Sequence, residues 1–398
     1  MKNKTVLISG ASVAGPALAF WLHRYGFQPT IVERAPAIRP GGYAIDFRGA
    51  SLRVLERMGL LPEVQRKQTR IGAITIVDRN NRKVASMPDG FTSGELEVLR
   101  SDLAAIFHEA TRNTIEYIFD DSITAIEEST GGTEVRFERG SRRRFDLVVG
   151  ADGLHSNVRS IVFGKEASFV RYLGYCVSIF TIPNYLNLEN AGLYYNTLGK
   201  KVGIFSSGDR KEAKASFFFA TEPLDHVRRD SGQQKKILRQ HFRHEGWELP
   251  RLLEWMESAP DFYFDSVSQV KMDRWSTGRS VLLGDAAWCA SPLSGMGTGM
   301  AVIGAYVLAG ELAEANGDYQ VAFKNYESLM RAFVEKCQGI ADGGTDWFVP
   351  RTHFRLWLST QMWKILPYTP WKNMMIEVPL RIGNSIQLKN YEAQTGMN

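Results

Sequence analysis

The stretch that most constrains this 398-residue chain covers residues 4–34 and reads KTVLISGASVAGPALAFWLHRYGFQPTIVER. Residues 5–8 form a short apolar run with β-branched side chains, which is typical of a buried strand. A glycine-containing turn follows, then an apolar helix pattern that ends at Gly26, then a second strand over residues 29–32. This order of strand, turn, helix and strand predicts a βαβ unit of the dinucleotide-binding type.

The residue types in this unit suit a nucleotide. Gly10 permits the tight turn from strand to helix, and Gly15 lets the helix pack closely on the strand. The N–H groups at the helix start can hold a pyrophosphate. Glu33 can accept the ribose hydroxyls and would repel a 2′-phosphate, so we expect FAD or NAD rather than NADP. Ser12 replaces the second glycine of the pattern, and a purely structural turn remains the alternative.

Composition narrows the class of protein. A hydrophobic content of 44% and a charged content of 23% are ordinary for a soluble globular protein, and the net charge of +5 is modest. The basic run at residues 142–144 lies in a predicted hairpin and indicates a solvated face, so we expect no nucleic-acid partner. No apolar run reaches the ~20 residues that span a bilayer, and the first strand leaves no room for a signal peptide. We expect no membrane partner and a cytoplasmic monomer.

The cysteines support the same compartment. Cys176, Cys289 and Cys337 are widely spaced, and they form neither a metal-ligand pattern nor an even set for disulfides. We therefore expect no metal and a reducing environment.

Two further strand ends carry acidic turns. A strand over residues 144–149 runs into Asp152 and Gly153, after which Ser156 is placed to cap a short helix. A second buried strand over residues 279–283 ends in Gly284 and Asp285, and a glycine-rich turn then leads into the helix 301–315. The start of that helix can stabilise negative charge on a reduced flavin ring, and Asp285 can accept a ribityl hydroxyl.

The sequence between these motifs has a different character. Residues 169–271 alternate like an antiparallel sheet, and their aromatic side chains belong either to one core face or to a wall over a flat substrate. Arg100 lies at a strand-to-helix junction, where it is either solvated or directed toward a phosphate or flavin edge. The glycine pair at 41–42 forms either a hairpin turn or a site of close approach for another group.

The aromatic tail over residues 345–379 has three interpretations. It can be a membrane-surface anchor, a partner-binding helix or an intramolecular strut. Its lysines and arginines are few and scattered, which favours the strut.

The motifs at 10–33, 152–153 and 284–297, taken together, resemble the class A flavin-dependent aromatic hydroxylases of the para-hydroxybenzoate hydroxylase fold. Residues 180–185, the turn at 292–295 and the C-terminal helix look most like the tetracycline-inactivating monooxygenases, or tetracycline destructases. The resemblance implies an α/β fold with a Rossmann-like FAD-binding domain (residues 1–168 and 272–340). It further implies an inserted antiparallel-sheet substrate domain (169–271) and a C-terminal helical segment that bridges the domains (341–398).

The resemblance also implies site residues. Those expected to bind FAD are Gly10, Ser12, Val13, Ala14, Gly15, Glu33, Arg34, Arg100, Asp152, Gly153, Asp285, Pro292, Gly295, Met296 and Gly297. Those expected to contact the substrate are Arg48, Phe180, Tyr194, Phe217 and Phe219. Two positions depart from the family: Trp288 stands where histidine is common, and Gly299 where an asparagine often contacts the flavin.

The implied activity is that of an FAD-dependent monooxygenase that consumes NADPH or NADH as a transient reductant. Dioxygen would react through a flavin C4a-hydroperoxide, so no side chain is assigned as catalytic. The expected reaction is hydroxylation of a polycyclic phenol or enol, with inactivation of tetracycline antibiotics as the leading interpretation. The alternatives are a tailoring hydroxylase of aromatic polyketides and a non-catalytic flavin-binding ligand sensor.

Overall fold

The structure is a computed structural model that describes residues 1–391 except 40, 70, 88–93, 208–210, 225–226, 228–229 and 343–344. Residues 343–344 and 392–398 of the predicted C-terminal segment thus lie outside the described residues. In the described part of the chain, no helix combines the length and apolar character needed to cross a membrane.

The strands, in chain order, are β1 (Thr5–Ser9), β2 (Gln28–Glu33), β3 (Ala44–Phe47), β4 (Ile74–Val77), β5 (Lys83–Met87), β6 (Leu96–Leu99), β7 (Glu116–Phe119), β8 (Ile123–Ser129), β9 (Gly132–Phe137), β10 (Arg143–Phe145), β11 (Leu147–Gly150), β12 (Val170–Pro183), β13 (Ala191–Thr197), β14 (Lys200–Ser206), β15 (Glu212–Ala220), β16 (Tyr263–Val270), β17 (Ser276–Thr277) and β18 (Ser280–Leu282).

The helices are α1 (Ala14–Arg24), α2 (Ala50–Arg57), α3 (Leu61–Arg66), α4 (Arg100–Thr111), α5 (Asn157–Val162), α6 (Ser231–Phe242), α7 (Leu249–Ser258), α8 (Asp285–Trp288), α9 (Gly297–Glu314), α10 (Tyr319–Ala341), α11 (Thr345–Phe348), α12 (His353–Ile365) and α13 (Trp371–Gly383).

The first large sheet is mostly parallel and buried. Its described strands have the order β17-β18-β11-β1-β2-β7, and all neighbours except β17 and β18 pair in parallel. Val6, Leu7 and Ile8 in β1 have no exposed surface, as expected for a strand covered on both faces. The predicted βαβ unit is confirmed, because β1, α1 and β2 follow one another and β1 pairs with β2.

The second large sheet has the described order β16-β12-β15-β14-β13-β4-β5. It is antiparallel except that β13 pairs in parallel with β4. The predicted boundary at residues 169–271 does not enclose this sheet, because β4 and β5 come from earlier in the chain. The α/β fold class with an added antiparallel sheet is nevertheless as predicted. The assignment of whole domains to cofactor and substrate remains a prediction.

One face of the second sheet is closed by helices α6 and α7. Leu238, Phe242, Leu252 and Met256 from these helices are buried and belong to one apolar cluster with side chains from β12, β14 and β15. The opposite face of the sheet is thereby left to form the wall of a cavity.

The C-terminal segment contacts both layers. Trp363 of α12 and Leu366 pack in a cluster with Ile74 and Met87 of the second sheet. Tyr391 is buried with the core around the parallel sheet, and its hydroxyl donates a 2.7 Å hydrogen bond to Glu311 Oε1 in α9. Intramolecular packing, one of the three interpretations of this tail, is therefore observed.

Candidate active site

The three motifs found in the sequence lie side by side at the carboxyl edge of the parallel sheet. The Gly10 N–H donates to Val32 O at 2.8 Å, the Ala151 N–H to Ser9 O at 2.9 Å, and the Leu283 N–H to Gly150 O at 2.8 Å. Because β1, β11 and β18 run in parallel, their terminal turns meet at this edge. This is the edge at which open α/β sheets bind ligands.

Glycine is required at two positions of the first turn. Gly10 has a φ of +109°, and a Cβ atom there would lie 2.5 Å from Ala151 O. A Cβ atom on Gly15 would lie 1.9 Å from Gly10 O. Both obstacles are backbone atoms, so the close packing of strand, turn and α1 excludes a side chain. Helix α1 has no side-chain cap at its N-terminus, where Val13 occupies the capping position, so its first turn is suited to an external anion.

Glu33 lies beside the turn, as expected. Its Oε2 accepts a hydrogen bond from the Ala11 N–H at 2.9 Å, and its Oε1 accepts one from the Ala35 N–H at 2.9 Å. The carboxylate is therefore held at the mouth of the turn, where ribose binding remains a prediction. Arg34 is exposed next to it.

Arg100 is directed toward the turn rather than solvent. Its guanidinium donates 3.1 Å hydrogen bonds to Ser12 Oγ and to Gly41 O. A Cβ atom on Gly42 would lie 2.7 Å from Arg100 Nε, so the glycine pair admits this guanidinium. Ser12, which replaces a glycine, thus has a hydrogen-bonding partner.

Asp152 has a role in the fold. Its Oδ1 accepts from Ser156 Oγ at 2.5 Å, and its Oδ2 accepts from the N–H groups of Asn157 and Val158 at 2.8 and 3.0 Å. Burial raises the pKa of this carboxyl group. Ser156 caps α5 as predicted, since it accepts from the Arg159 N–H. The Asp152 carboxylate therefore orders the turn at Gly153, and direct contact with a cofactor remains a prediction.

A cavity of about 830 Å³ lies between this edge and the second sheet. That volume is within the range of small-molecule sites. The residues that line it belong to four sets: an apolar wall from the second sheet, a set of ionisable side chains, the turn before α9, and the C-terminal segment. The sheet wall consists of Ile74, Val177, Ile179, Tyr194, Phe205, Ser216 and Phe218; the turn contributes Ser291, Pro292, Leu293, Ser294, Gly295, Gly297 and Thr298; the C-terminal segment contributes Trp347, Phe348, Met362, Trp363, Val378 and Pro379.

One end of the cavity is formed by Asp285 and two tyrosines. Asp285 begins α8 and is partly buried, and its removal from water raises the pKa of its carboxyl group. Tyr43 and Tyr263 have their ring centroids 6.0 Å apart, and the Tyr263 hydroxyl donates to Asp265 Oδ2 at 3.2 Å. This end therefore offers both hydrogen-bond acceptors and ring faces.

The turn before α9 is backbone-rich. Ser291 has a φ of +80°, an unusual value for a residue with a side chain, and its Oγ accepts from the Leu293 N–H. Helix α9 starts at Gly297 without a side-chain cap. Gly295 and Gly297 line the cavity, whereas Met296 is buried and is not part of the lining.

Two cationic side chains of the cavity are each paired with a carboxylate. Arg48 Nη1 donates to Gly295 O at 3.0 Å and lies 3.2 Å from Asp46 Oδ2. Lys214 Nζ pairs with Asp261 Oδ2 at 2.7 Å. Both cations line the cavity.

Three of the predicted substrate contacts are wrong. Phe180, Phe217 and Phe219 are at most 1% exposed and pack under α6 and α7, on the face of the sheet away from the cavity. Side chains alternate between the faces of a strand, so Phe218 reaches the cavity while its two neighbours do not. Arg48 and Tyr194 do line the cavity.

The two departures from the family pattern lie away from the cavity lining. Trp288 is 1% exposed, and its indole N–H donates to Tyr326 Oη at 3.2 Å within the core. A Cβ atom on Gly299 would lie 3.1 Å from Ser51 Oγ, because α9 packs closely on α2. Both residues are explained by packing.

Several lining residues were missed from the sequence. Asp46, Glu97, Lys214, Tyr263 and Asp265 all face the cavity. The available signal was an isolated carboxylate in an otherwise apolar strand, as in Ala44–Phe47 and Leu96–Leu99. The contribution of the C-terminal segment had no such signal.

The arrangement at the carboxyl edge fits an FAD. The uncapped start of α1, the carboxylate of Glu33 and the guanidinium of Arg100 surround one turn, as a dinucleotide requires. Tyr43 lines the large cavity, and its carbonyl accepts from the Arg100 N–H at 3.1 Å, so a backbone hydrogen bond links the cavity lining to the arginine at the turn.

The chain is similar in sequence and in structure to known flavin-dependent proteins. The model of the FAD binding domain family matches residues 3–338. A flavin-dependent monooxygenase of Legionella longbeachae is 38% identical over 397 residues, which cover 98% of this chain and 99% of the relative. An uncharacterised protein of Mycobacterium tuberculosis is 48% identical over 341 residues, which cover 84% of this chain and 92% of the relative. The crystal structure of tetracycline destructase Tet(51) matches with a TM-score of 0.85 and 34% identity, over 98% of this chain and 100% of that chain.

Proposed function

The chain belongs to the FAD-binding-domain family and is an FAD-dependent monooxygenase, and we propose that it hydroxylates polycyclic phenols or enols of the tetracycline type. NADPH or NADH would act as the reductant and dioxygen as the oxidant. The observation that carries the substrate class is the 830 Å³ cavity, which has an apolar aromatic wall and two cations at its sides. The likeness to tetracycline destructases Tet(51) and Tet(55), with TM-scores of 0.85 and 0.84, supports the same class.

The cavity suits a flat molecule with an acidic edge. Phe218, Ile179 and Val177 present one apolar face from adjacent strands β12 and β15. Lys214 supplies positive charge from β15, and Arg48 supplies it from beside the turn before α9. A planar, acidic β-diketone would bury its rings against the sheet and direct its enolate toward a cation, which charge-assisted hydrogen bonds favour.

Each residue proposed to bind the cofactor would contact a different part of it. Glu33 would accept the ribose hydroxyls, Arg100 would contact a phosphate or the flavin edge, and Asp285 would accept from the ribityl chain. Bound FAD would supply the electron transfer from the reductant and the activation of dioxygen. The chain's own residues would bind and orient the FAD and the substrate and shield them from water.

The turn before α9 is suited to stabilising negative charge. Gly297 and Thr298 begin an 18-residue helix at the cavity wall, so the positive end of its dipole is directed there. Arg48 is held against the same turn through Gly295 O. These groups would hold developing charge without a titratable catalytic residue.

Exclusion of water falls to the C-terminal segment. Phe348, Met362 and Trp363 line the cavity, and Trp363 is 7% exposed. A closed apolar cover strengthens electrostatic interactions inside the cavity. We propose that this segment bridges the FAD-binding and substrate domains and that the enzyme acts as a cytoplasmic monomer.

The test combines a flavin spectrum with a substrate panel. Purified protein should be yellow, and tetracycline should stimulate NADPH or NADH oxidation and yield a product heavier by one oxygen atom, with loss of antibiotic activity. Stimulation by aromatic polyketides alone would instead indicate a tailoring hydroxylase. Inertness toward every substrate and both reductants would indicate a flavin-binding ligand sensor.

A matched pair of variants tests whether the substrate binds beside Lys214. Lys214→Met removes a cation of the cavity, and we expect the KM for tetracycline to rise about tenfold because one charge-assisted hydrogen bond is lost. Lys271→Met removes an exposed lysine that pairs with Asp342 outside the cavity, and it should leave the KM unchanged. Equal effects of the two substitutions would contradict the proposed substrate position.

A further inference from the structure

Two carboxyl groups face each other across one strand pair in the cavity. Strands β3 and β6 are antiparallel, and their register sets Asp46 directly opposite Glu97. Both side chains line the cavity. Like charges at directly opposed positions destabilise a strand pair, so this arrangement needs a compensating feature.

The two carboxyl groups have unequal partners. Asp46 Oδ1 accepts from the Gly94 N–H at 2.7 Å, and Asp46 Oδ2 lies 3.2 Å from Arg48 Nη1. Glu97 Oε1 accepts from Thr69 Oγ1 at 2.5 Å. Among the residues that the structure describes, none donates to Glu97 Oε2. Arg48 therefore stabilises a negative charge on Asp46, and a charged Glu97 would have only a hydroxyl.

Burial raises the pKa of both carboxyl groups, and at Asp46 it is opposed by Arg48 and by the Gly94 N–H. Glu97 is 5% exposed. Its pKa is raised to about 7, first by burial and then by the charge of Asp46, against the weaker opposing effects of Thr69 and Arg48. Among the residues that the structure describes, Tyr194 of β13 also faces it, and the pKa of Tyr194 is raised by burial and by Glu97. A buried carboxyl group beside a like charge keeps its proton.

We propose that Glu97 is a specificity-determining residue whose neutral carboxyl group donates its O–H from Oε2 to a carbonyl or enolate oxygen of the substrate. The identity of that oxygen rests on the proposed function. Glu97 is near both Arg48, which contacts the turn at Gly295, and Tyr194 in the sheet wall, and all three residues line the cavity. A substrate bound against Arg48 and Tyr194 would therefore come within reach of Glu97. A neutral donor binds an anionic enolate beside Arg48, whereas a charged Glu97 would repel it.

The protonation of Glu97 is tested without any substrate. Infrared difference spectra of the FAD-loaded enzyme, recorded over a pH titration, should contain the carbonyl band of a neutral carboxylic acid that disappears with a midpoint near pH 7. Glu97→Gln should remove the band. Asp46→Asn should move the midpoint to lower pH because a like charge is lost, and Thr69→Val should move it to higher pH because a donor is lost. Absence of the band in wild-type enzyme would overturn the proposal.

The role in substrate binding is measured by tetracycline affinity of the oxidised holoenzyme without NADPH or NADH. We expect the wild-type Kd to rise about tenfold more than that of Glu97→Gln between pH 6 and 8, since the amide keeps a donor that does not titrate. The ratio of the two curves removes the titration of tetracycline itself. Glu245→Gln, which alters a carboxylate paired with Lys200 outside the cavity lining, is the control and should follow the wild type.

The outcomes separate the two proposals. An infrared band with no tetracycline binding would contradict the proposed substrate class and leave the neutral acid in place. A band together with parallel wild-type and Glu97→Gln binding curves would overturn the role of Glu97 in specificity. Glu97→Leu, which has neither donor nor charge, should bind tetracycline about tenfold more weakly than Glu97→Gln at every pH.

Discussion

The carboxyl edge of the parallel sheet and the wall of the antiparallel sheet form the active site by different means. At the carboxyl edge, backbone geometry decides which residue fits, since Gly10 and Gly15 are each confined by a carbonyl oxygen. In the wall, the face of a strand decides, since Phe217 is core and Phe218 lines the cavity although they are neighbours in β15. A turn of the carboxyl edge can therefore be predicted from its residue types. A residue of the sheet wall can be predicted only when it is known which face of the sheet the helices cover.

The largest expected effect separates the two faces of β15. Phe217→Ala should lower the free energy of unfolding by about 4 kcal/mol, because this buried ring packs between Phe180 and Phe242 with centroids 5.5 and 5.1 Å away. Phe218→Ala should cost about 1–2 kcal/mol and raise the substrate KM about tenfold. Denaturant unfolding and steady-state kinetics measure both. Equal losses of stability would invalidate the distinction between the faces.

The next effect tests whether the backbone governs the carboxyl edge. Gly15→Ala should destabilise the protein by about 3 kcal/mol and abolish flavin retention, because the new Cβ atom would lie 1.9 Å from Gly10 O. Thermal unfolding and the ratio of flavin to protein absorbance are the readouts. Gly339→Ala in α10 has open space and should be neutral or stabilising. Retained flavin in Gly15→Ala would show that the turn tolerates a side chain.

A third effect concerns a buried lysine of β14 next to the sheet wall. Lys201 is 2% exposed beneath the rings of Tyr194 and Phe348, and burial lowers its pKa to about 7. The unfolded chain therefore binds one more proton than the folded chain between pH 7 and 10.5, and stability from this residue rises with pH across that window. Lys201→Met should be about 2 kcal/mol more stable than wild type at pH 7, with the advantage shrinking toward pH 10.

Denaturant unfolding at several pH values measures that difference. Lys236→Met, at an exposed position on α6, should show no comparable pH dependence relative to wild type. Parallel stability curves for wild type and Lys201→Met would indicate that the amine stays charged in its aromatic surroundings.

The smallest effect returns to the carboxyl edge. Glu33→Ala should weaken FAD binding about tenfold, because the hydrogen bonds proposed to the ribose are lost while the glycine turn remains. Flavin release during dialysis, followed by fluorescence, measures it. Glu109→Ala, an exposed substitution on α4, should retain FAD like the wild type. Unchanged occupancy in Glu33→Ala would contradict the assigned role.

The carboxyl edge could be predicted from the sequence because the residues that define it are close together in the chain. Gly10, Gly15 and Glu33 lie within one βαβ unit, and the motifs at Asp152 and Asp285 end strands that parallel pairing brings together. Fold class and cofactor follow from this pattern. The local residues also left Arg100 undecided, and only its contacts with Ser12 and Gly41 resolve its direction.

The sheet wall was harder to predict from the sequence, because the segments that form it are distant in the chain. The parallel pairing of Gly192 with Ile74 joins β13 to β4, and nothing in either segment specifies that register. Phe180 was assigned to the substrate because aromatic content does not distinguish the two faces of a strand. Trp363 was unassigned because its place depends on how α12 lies over β5.

The anchoring of Tyr391 has a consequence for how the molecule is made. Its ring occupies the space where a Cβ atom on Gly310 would lie, only 2.1 Å from the nearest ring atom, so helix α9 gains this partner after eighty further residues have been synthesised. The segment between them carries the residues that cover the cavity. The parallel sheet can thus assemble during translation, whereas Tyr391 can fix the end of the covering segment to α9 only once position 391 has left the ribosome.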